Sequence, residues 1–182
     1  MRYRRLLVGG ASYFFTVVTH DRQRLFSDPQ TFQMLADAIT KVRERHPFEI
    51  EAQVILPDHL HSLWTMPDGD ANFGSRWRLI KEACTRTYCK CYGSQERSEV
   101  ARARGEQPVW QRRFWEHLIR DEPDFSARVD YIHLNPVRHG LVSVPGEWPH
   151  STFAKWVERG VYDPNWGEGE KPEVPERARW YE

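Results

Sequence analysis

His59-Leu60-His61 places two imidazoles two residues apart in a segment of strand character. Side chains alternate along a strand, so positions i and i+2 point the same way and the two rings can share one metal ion. A second group, Tyr131-Ile132-His133-Leu134-Asn135, sits in a segment with helical periodicity. Residues four apart on a helix lie one above the other, with Cβ atoms about 5–6 Å apart, so Tyr131 and Asn135 project together. A phenol oxygen and an amide oxygen beside two imidazoles would make a nucleophile next to a three-ligand metal with open positions. Each residue also has a plain structural role open to it. The histidines could occupy a partly exposed strand face, and Tyr131 could be an amphipathic residue at the rim of the core. Asn135, which precedes Pro136, could simply stop the helix.

The chemistry such a set could perform is attack on a phosphodiester, which needs charge neutralised on the phosphoryl oxygens and a nucleophile held in line. A divalent cation supplies the first and a positioned phenol the second. The covalent product, a phosphotyrosine, conserves the energy of the broken bond, so strands can be rejoined without ATP. Two imidazoles and an amide oxygen are less hard than an all-oxygen cage. Mn²⁺ is therefore expected to support activity, with Mg²⁺ the cellular metal.

The elements that must position these groups alternate along the chain. Ser12 to Thr19 is aromatic and β-branched and reads as a buried strand. Asp28-Pro29 is a helix start, and Phe32, Leu35, Ala36, Ile39 and Val42 form one apolar stripe that ends at His46-Pro47. Phe48, Ile50, Ala52 and Val54 alternate with polar residues, a half-buried strand. Pro57-Asp58 is a tight turn and His59 to Met66 the returning strand. Asn72 to Ser75 can cap a second helix bearing Trp77, Ile80, Cys84 and Tyr88 on one face. Residues 93–107 are polar and basic, with the composition of a mobile insertion. Val109 to Arg120 reads as a fourth strand, and a third helix begins near Asp121 to Pro123 and continues through Phe125, Val129 and Ile132. A short helix from Ser151 to Glu158 follows. The order β-α-β-β-α-β-α predicts an α+β fold, the ferredoxin-like split βαβ arrangement with an antiparallel sheet and helices packed on one face. One catalytic domain over residues 1–160 and an irregular C-terminal tail over 161–182 are expected.

In 182 residues, 26 basic and 26 acidic side chains cancel, yet they are unevenly placed. Residues 1–24 carry five arginines against Asp21, and residues 76–113 carry ten bases against four acids. From Glu158 to the end, seven acids face four bases. Arginine suits phosphate and guanine through its planar fork. Arg112 and Arg113, flanked by Trp110, Phe114 and Trp115, have the footprint of phosphate contact with base stacking, although neighbours on a strand would point to opposite faces. Arg4 and Arg5 could reach bases beside the site. Three cysteines give no even disulfide framework, and no Cys-x-x-Cys completes a zinc set. No apolar run nears the ~18 residues of a membrane span, and the first ten residues lack the apolar core of a signal peptide. A soluble, cytoplasmic protein is expected.

Five segments together, Tyr13 to Thr19, Leu56 to His61, Trp77 to Lys81, Trp110 to His117 and Tyr131 to Val137, resemble the REP-associated tyrosine transposases, in the single-tyrosine branch of the HUH nucleases. The likeness runs in order from about Tyr3 to Trp166. It implies His59 and His61 as the metal pair, Tyr131 as the nucleophile, and Asn135 where such enzymes place an amide-bearing ligand. It also implies nicking of single-stranded DNA to a 5′-phosphotyrosine and a free 3′-hydroxyl. The implied substrates are hairpins of repeated extragenic palindromes with a flanking single-stranded tetranucleotide, and the implied state is a monomer, with the dimer of related insertion-sequence enzymes left open. The alternative is a non-catalytic module of the same fold that holds DNA or RNA hairpins.

Overall fold

The structure, a computed structural model, describes residues 6–93 and 109–168. Its elements are β1 (Ser12–Val18), α1 (Pro29–Arg45), β2 (Glu49–Ile55), β3 (His59–Thr65), α2 (Phe73–Tyr92), β4 (Trp115–Leu118), α3 (Glu122–Arg138) and α4 (Phe153–Glu158). Single 3₁₀ turns stand at His20–Arg22, Leu25–Ser27 and Pro145–Glu147. The four strands lie in the order β2-β3-β1-β4, and every neighbouring pair is antiparallel. With β3 inserted between β1 and β2, this is the split βαβ arrangement expected from the sequence. The expected insertion over 93–107 falls, apart from Gly93, outside the described residues. None of the described helices is long and apolar enough to cross a membrane.

The helices divide between the two faces of the sheet, where the sequence reading put them on one. α1 and α2 cover the face made by Tyr13, Phe15, Leu60 and Trp64. α3 packs on the opposite face, its Val129, Tyr131 and Ile132 against Phe14, Val54 and Leu63. The cause lies in the central strands. Tyr13-Phe14-Phe15 and Leu63-Trp64 are apolar at consecutive positions, so both faces must be covered. α1 starts as expected, with the Asp28 side chain accepting from the Gln30 N–H at 3.0 Å and Pro29 in the first turn.

A bulge changes how β2 is used. Ile50 pairs with Trp64 and Ala52 with Leu63, leaving Glu51 as the extra residue. Phe48 and Ile50 therefore pack with α1 and α2, whereas Ala52 and Val54 pack with α3. Plain alternation, which assigned all four to one face, misses this switch. β4 is also shorter than the expected Val109–Arg120 strand. Only four residues pair with β1, and Trp110 makes a separate bridge to Thr19.

The outer edge of β2 is closed by the chain after Trp148. The Ile55 N–H donates to the His150 carbonyl at 2.9 Å, the Thr152 N–H to the Gln53 carbonyl at 2.9 Å, and the Gln53 N–H to the Thr152 hydroxyl at 2.8 Å. The indoles of Trp148 and Trp156 donate to the Ile55 and Glu51 carbonyls. Beyond α4, Tyr162 and Trp166 stack on Phe153.

Trp64 is the hub of the α1–α2 face. It is fully buried, with ring centroids 4.2 Å from Trp77, 3.9 Å from Phe48 and 4.9 Å from Phe15. Trp64→Ala is expected to cost about 3–5 kcal/mol. A urea titration should show this as a lower midpoint with an unchanged slope.

Candidate active site

β3 carries His59 and His61 on the face covered by α3, and both imidazoles are 1% exposed. Their ring centroids lie 5.0 Å apart with planes near perpendicular. The turn before β3 is fixed by the Thr19 N–H and hydroxyl, which both donate to the Asp58 carbonyl. Asp58 Oδ1 lies 2.7 Å from His59 Nδ1, and Arg22 Nη1 lies 3.3 Å from Asp58 Oδ2. Burial raises the Asp58 carboxyl, but the hydrogen bond and charge of His59, with those of Arg22, outweigh it and bring its pKa down to about 2. An ionised carboxylate only accepts, so Nδ1 of His59 carries the proton shared with Asp58, and a neutral ring then has its lone pair on Nε2. His61 Nδ1 pairs with the hydroxyl of Thr16, its cross-strand neighbour, at 2.9 Å. When that nitrogen donates, His61 also turns a lone pair on Nε2 toward the site. Burial holds His61 well below its ordinary range, and charge on His59, His139, Arg138 and Arg22 adds to the effect. Nε2 of both rings is buried without a hydrogen-bond partner.

α3 supplies the second half. The Asp121 side chain accepts from the Asp124 N–H at 2.9 Å, and the helix runs through Pro136 to Arg138. Pro136 therefore does not stop the helix at Asn135. The Tyr131 ring centroid lies 5.2 Å from that of His61 and 5.8 Å from Phe14, and the His139 ring lies 5.1 Å from that of His59. Asn135 is four residues from each on the same helix stripe. It is fully buried, and neither its Oδ1 nor its Nδ2 has a partner. A buried amide unpaired at both ends is costly in a folded protein. Among the described residues no three His, Cys, Asp or Glu side chains form a metal set, so a third protein donor beside the histidine pair would come from another residue type. Two nitrogen lone pairs and one amide oxygen, all desolvated and unspent, fit a divalent cation with open positions.

The remaining candidates are placed differently. Arg112 and Arg113 are exposed in an irregular stretch before β4, not in a strand, so the alternation that set them on opposite faces does not apply. Arg4 and Arg5 lie outside the described residues. His133 points away from the site, its Nε2 2.9 Å from the Thr152 hydroxyl, and burial lowers its pKa to about 3. His117 is held 2.7 Å from Asp124. Sequence reading missed Thr16, Asp58, Arg22, Arg138 and His139 around the site. Arg138 and His139 carried a signal, lying seven and eight residues past Tyr131 and so on its stripe. Thr16 meets His61 through strand register alone, which composition does not reveal.

No family model matches the chain. It is 44% identical over 164 residues to a REP-associated tyrosine transposase of Escherichia coli K12, covering 90% of this chain and 89% of the relative. A Haemophilus influenzae protein named for the same family is 40% identical over 173 residues, covering 91% of this chain and 92% of the relative. A solved REP-associated tyrosine transposase, bound to a REP hairpin, superposes with a TM-score of 0.75 at 40% identity, covering 96% of this chain and 99% of its own.

Proposed function

The chain belongs to the REP-associated tyrosine transposases, and on that premise we propose that it nicks and transfers single-stranded DNA at hairpins, with Tyr131 as nucleophile. The observation that carries the reading is the set of buried, unpartnered atoms, Nε2 of His59 and His61 on β3 and the amide of Asn135 one helical turn after Tyr131, whose ring centroid lies 5.2 Å from that of His61. His59, His61 and Asn135 would hold a divalent ion, Mg²⁺ or Mn²⁺. When bound, it supplies positive charge to the phosphoryl oxygens and the leaving oxygen.

The chain's own residues do the rest. Asp58 and Thr16 hold the two imidazoles by Nδ1, fixing which way the rings face. Phe14 packs on both the Tyr131 and His61 rings and keeps the phenol beside the imidazoles. Tyr131 Oη gives up its proton as its bond to phosphorus forms and the bond from phosphorus to the 3′-oxygen breaks. That oxygen takes up a proton, leaving a 5′-phosphotyrosine and a 3′-hydroxyl. Tyr131 is 3% exposed, and the Arg138 guanidinium carbon lies 5.6 Å from its ring centroid.

An end-labelled hairpin oligonucleotide with single-stranded flanks, incubated with the protein and Mn²⁺, is expected to give an adduct that survives SDS. Tight hairpin binding with no cleavage would instead favour the non-catalytic module.

A further inference from the structure

We propose that Arg112 and Arg113, thrown out of the sheet edge by a bulge level with the histidine pair, grip the phosphate backbone of the single-stranded flank, and that Lys81 is the positioning residue that holds this bulge in place. The inference rests on the nuclease reading above and adds to it where the reacting strand runs beyond the cut.

Strand register defines the bulge. Trp110 bridges Thr19, and the Gln111 N–H donates to the Val18 carbonyl at 3.0 Å, so the chain first follows β1 as a strand would. From Trp115, which pairs with Thr16, it pairs regularly as far as Leu118. Between those points the register slips by two residues. Arg112 and Arg113 carry the surplus and are exposed, while Phe114 turns back in, its ring centroid 5.9 Å from Phe15 and 6.1 Å from Trp77. Bulges re-aim side chains and are over-represented next to active sites. On its other side β1 pairs with the histidine strand, Val18 with His59 and Thr16 with His61, so the bulge stands level with both imidazoles. Two strand spacings, about 10 Å, separate the backbones of Gln111 and His59. A strand whose phosphate lies at the histidine pair therefore has its neighbouring phosphates within reach of the bulge.

Both feet of the bulge are anchored. Lys81, on α2, is 9% exposed; its Nζ donates to the Gln111 carbonyl at 2.6 Å and lies 5.9 Å from the Trp110 ring centroid. Burying a lysine is costly, and this one commits its charge to a single main-chain carbonyl at the foot of the bulge. Phe114 fixes the other foot in the aromatic core. Between them, neither guanidinium has a hydrogen bond or ion pair within the protein among the described residues. Two adjacent positive charges, held in place and not neutralised by the protein, suit an anion that presents successive charges. The neighbouring aromatics are packed inward, Trp110 at 1% exposure and Trp115 5.6 Å from Phe14. The contact is therefore to phosphates and not to stacked bases.

The test reads affinity in a Tyr131→Phe background with Mn²⁺, so turnover plays no part. The probes are a hairpin oligonucleotide with single-stranded flanks and the same hairpin without them, each titrated over a range of salt. Arg112→Gln combined with Arg113→Gln is expected to weaken binding of the flanked probe about tenfold and to lower the slope of log Kd against log salt by about 1.4, the value for two contacts on a single strand. The flankless hairpin should lose little. Lys81→Met, which keeps the packing and removes the ammonium, should also weaken the flanked probe, and Lys81→Gln, which keeps a donor, should recover part of that loss. Added to the double arginine variant, Lys81→Met should weaken binding no further, because its effect runs through the guanidiniums. A lysine that only supported the fold would add its loss in full. Unchanged affinity and slope in the double arginine variant, or an equal loss on both probes, would overturn the grip. A Lys81→Met loss that is absent, or that persists in full without the arginines, would overturn the positioning role. Should Lys81→Met fail to fold, Lys81→Gln carries the same comparison. Absence of any SDS-resistant adduct in the protein that keeps Tyr131 would instead defeat the nuclease reading, while the affinity series still reports on the bulge.

Discussion

Tyr131→Phe is expected to remove the SDS-resistant adduct altogether while leaving hairpin affinity within about threefold, because phosphate contacts dominate binding to nucleic acid. The substitution deletes one oxygen and keeps the ring. Contacts with Phe14 and His61, at 5.8 and 5.2 Å between centroids, survive, so the fold and the position of α3 should be unchanged. A covalent mechanism has no substitute for that oxygen. Cleavage that persists in the variant would assign the chemistry to water and leave the tyrosine a packing role. Gel analysis of labelled DNA, with and without SDS, separates the two outcomes.

His59→Ala and His61→Ala should each abolish cleavage and Mn²⁺ binding. With one imidazole gone, two donors remain, too few to hold a cation against its hydration. The wild-type protein should be stabilised by Mn²⁺, by about 2.7 kcal/mol when the free ion is at 100 times its dissociation constant. Neither variant should show this. The thermal shift is useful because it needs no DNA. The two Nε2 atoms are buried and unpaired without metal, so ligation relieves a cost that the apo fold carries. Retained cleavage in both variants would remove the metal from the mechanism.

How much of this was legible in the sequence varies with the kind of physics involved. Local signals were easy to read. Asp28-Pro29 and His46-Pro47 bracket α1 because capping and proline geometry act within a few residues. The relation of His59 to His61, and of Tyr131 to Asn135, follows from strand and helix periods. Features set by pairing between distant segments were not legible. The Glu51 bulge is a matter of register against β3, and it moved Ala52 and Val54 to the opposite face from Ile50. β4 shrank because its aromatics suggested a strand where only four residues find β1 as a partner. Pro136 disfavoured helix at Asn135, while Arg138-His139-Gly140 read as a cap beyond it. The helix continues because the tertiary contacts of Tyr131, Ile132 and Leu134 outweigh one missing N–H. Thr16, which orients the His61 imidazole, could be read only once strand order was known.

The segment from Trp148 to Trp156 lies along the outer edge of β2 and takes up its hydrogen bonds. It spends its hydrogen bonds on the exposed rim of β2, at Glu51, Gln53 and Ile55. A chain ending at Gly140 would keep every candidate site residue from His59 to His139 and lose that seal. The bared rim would then be a template for strands of other molecules. Such a truncation should precipitate or form higher-order species rather than behave as a smaller copy of the domain.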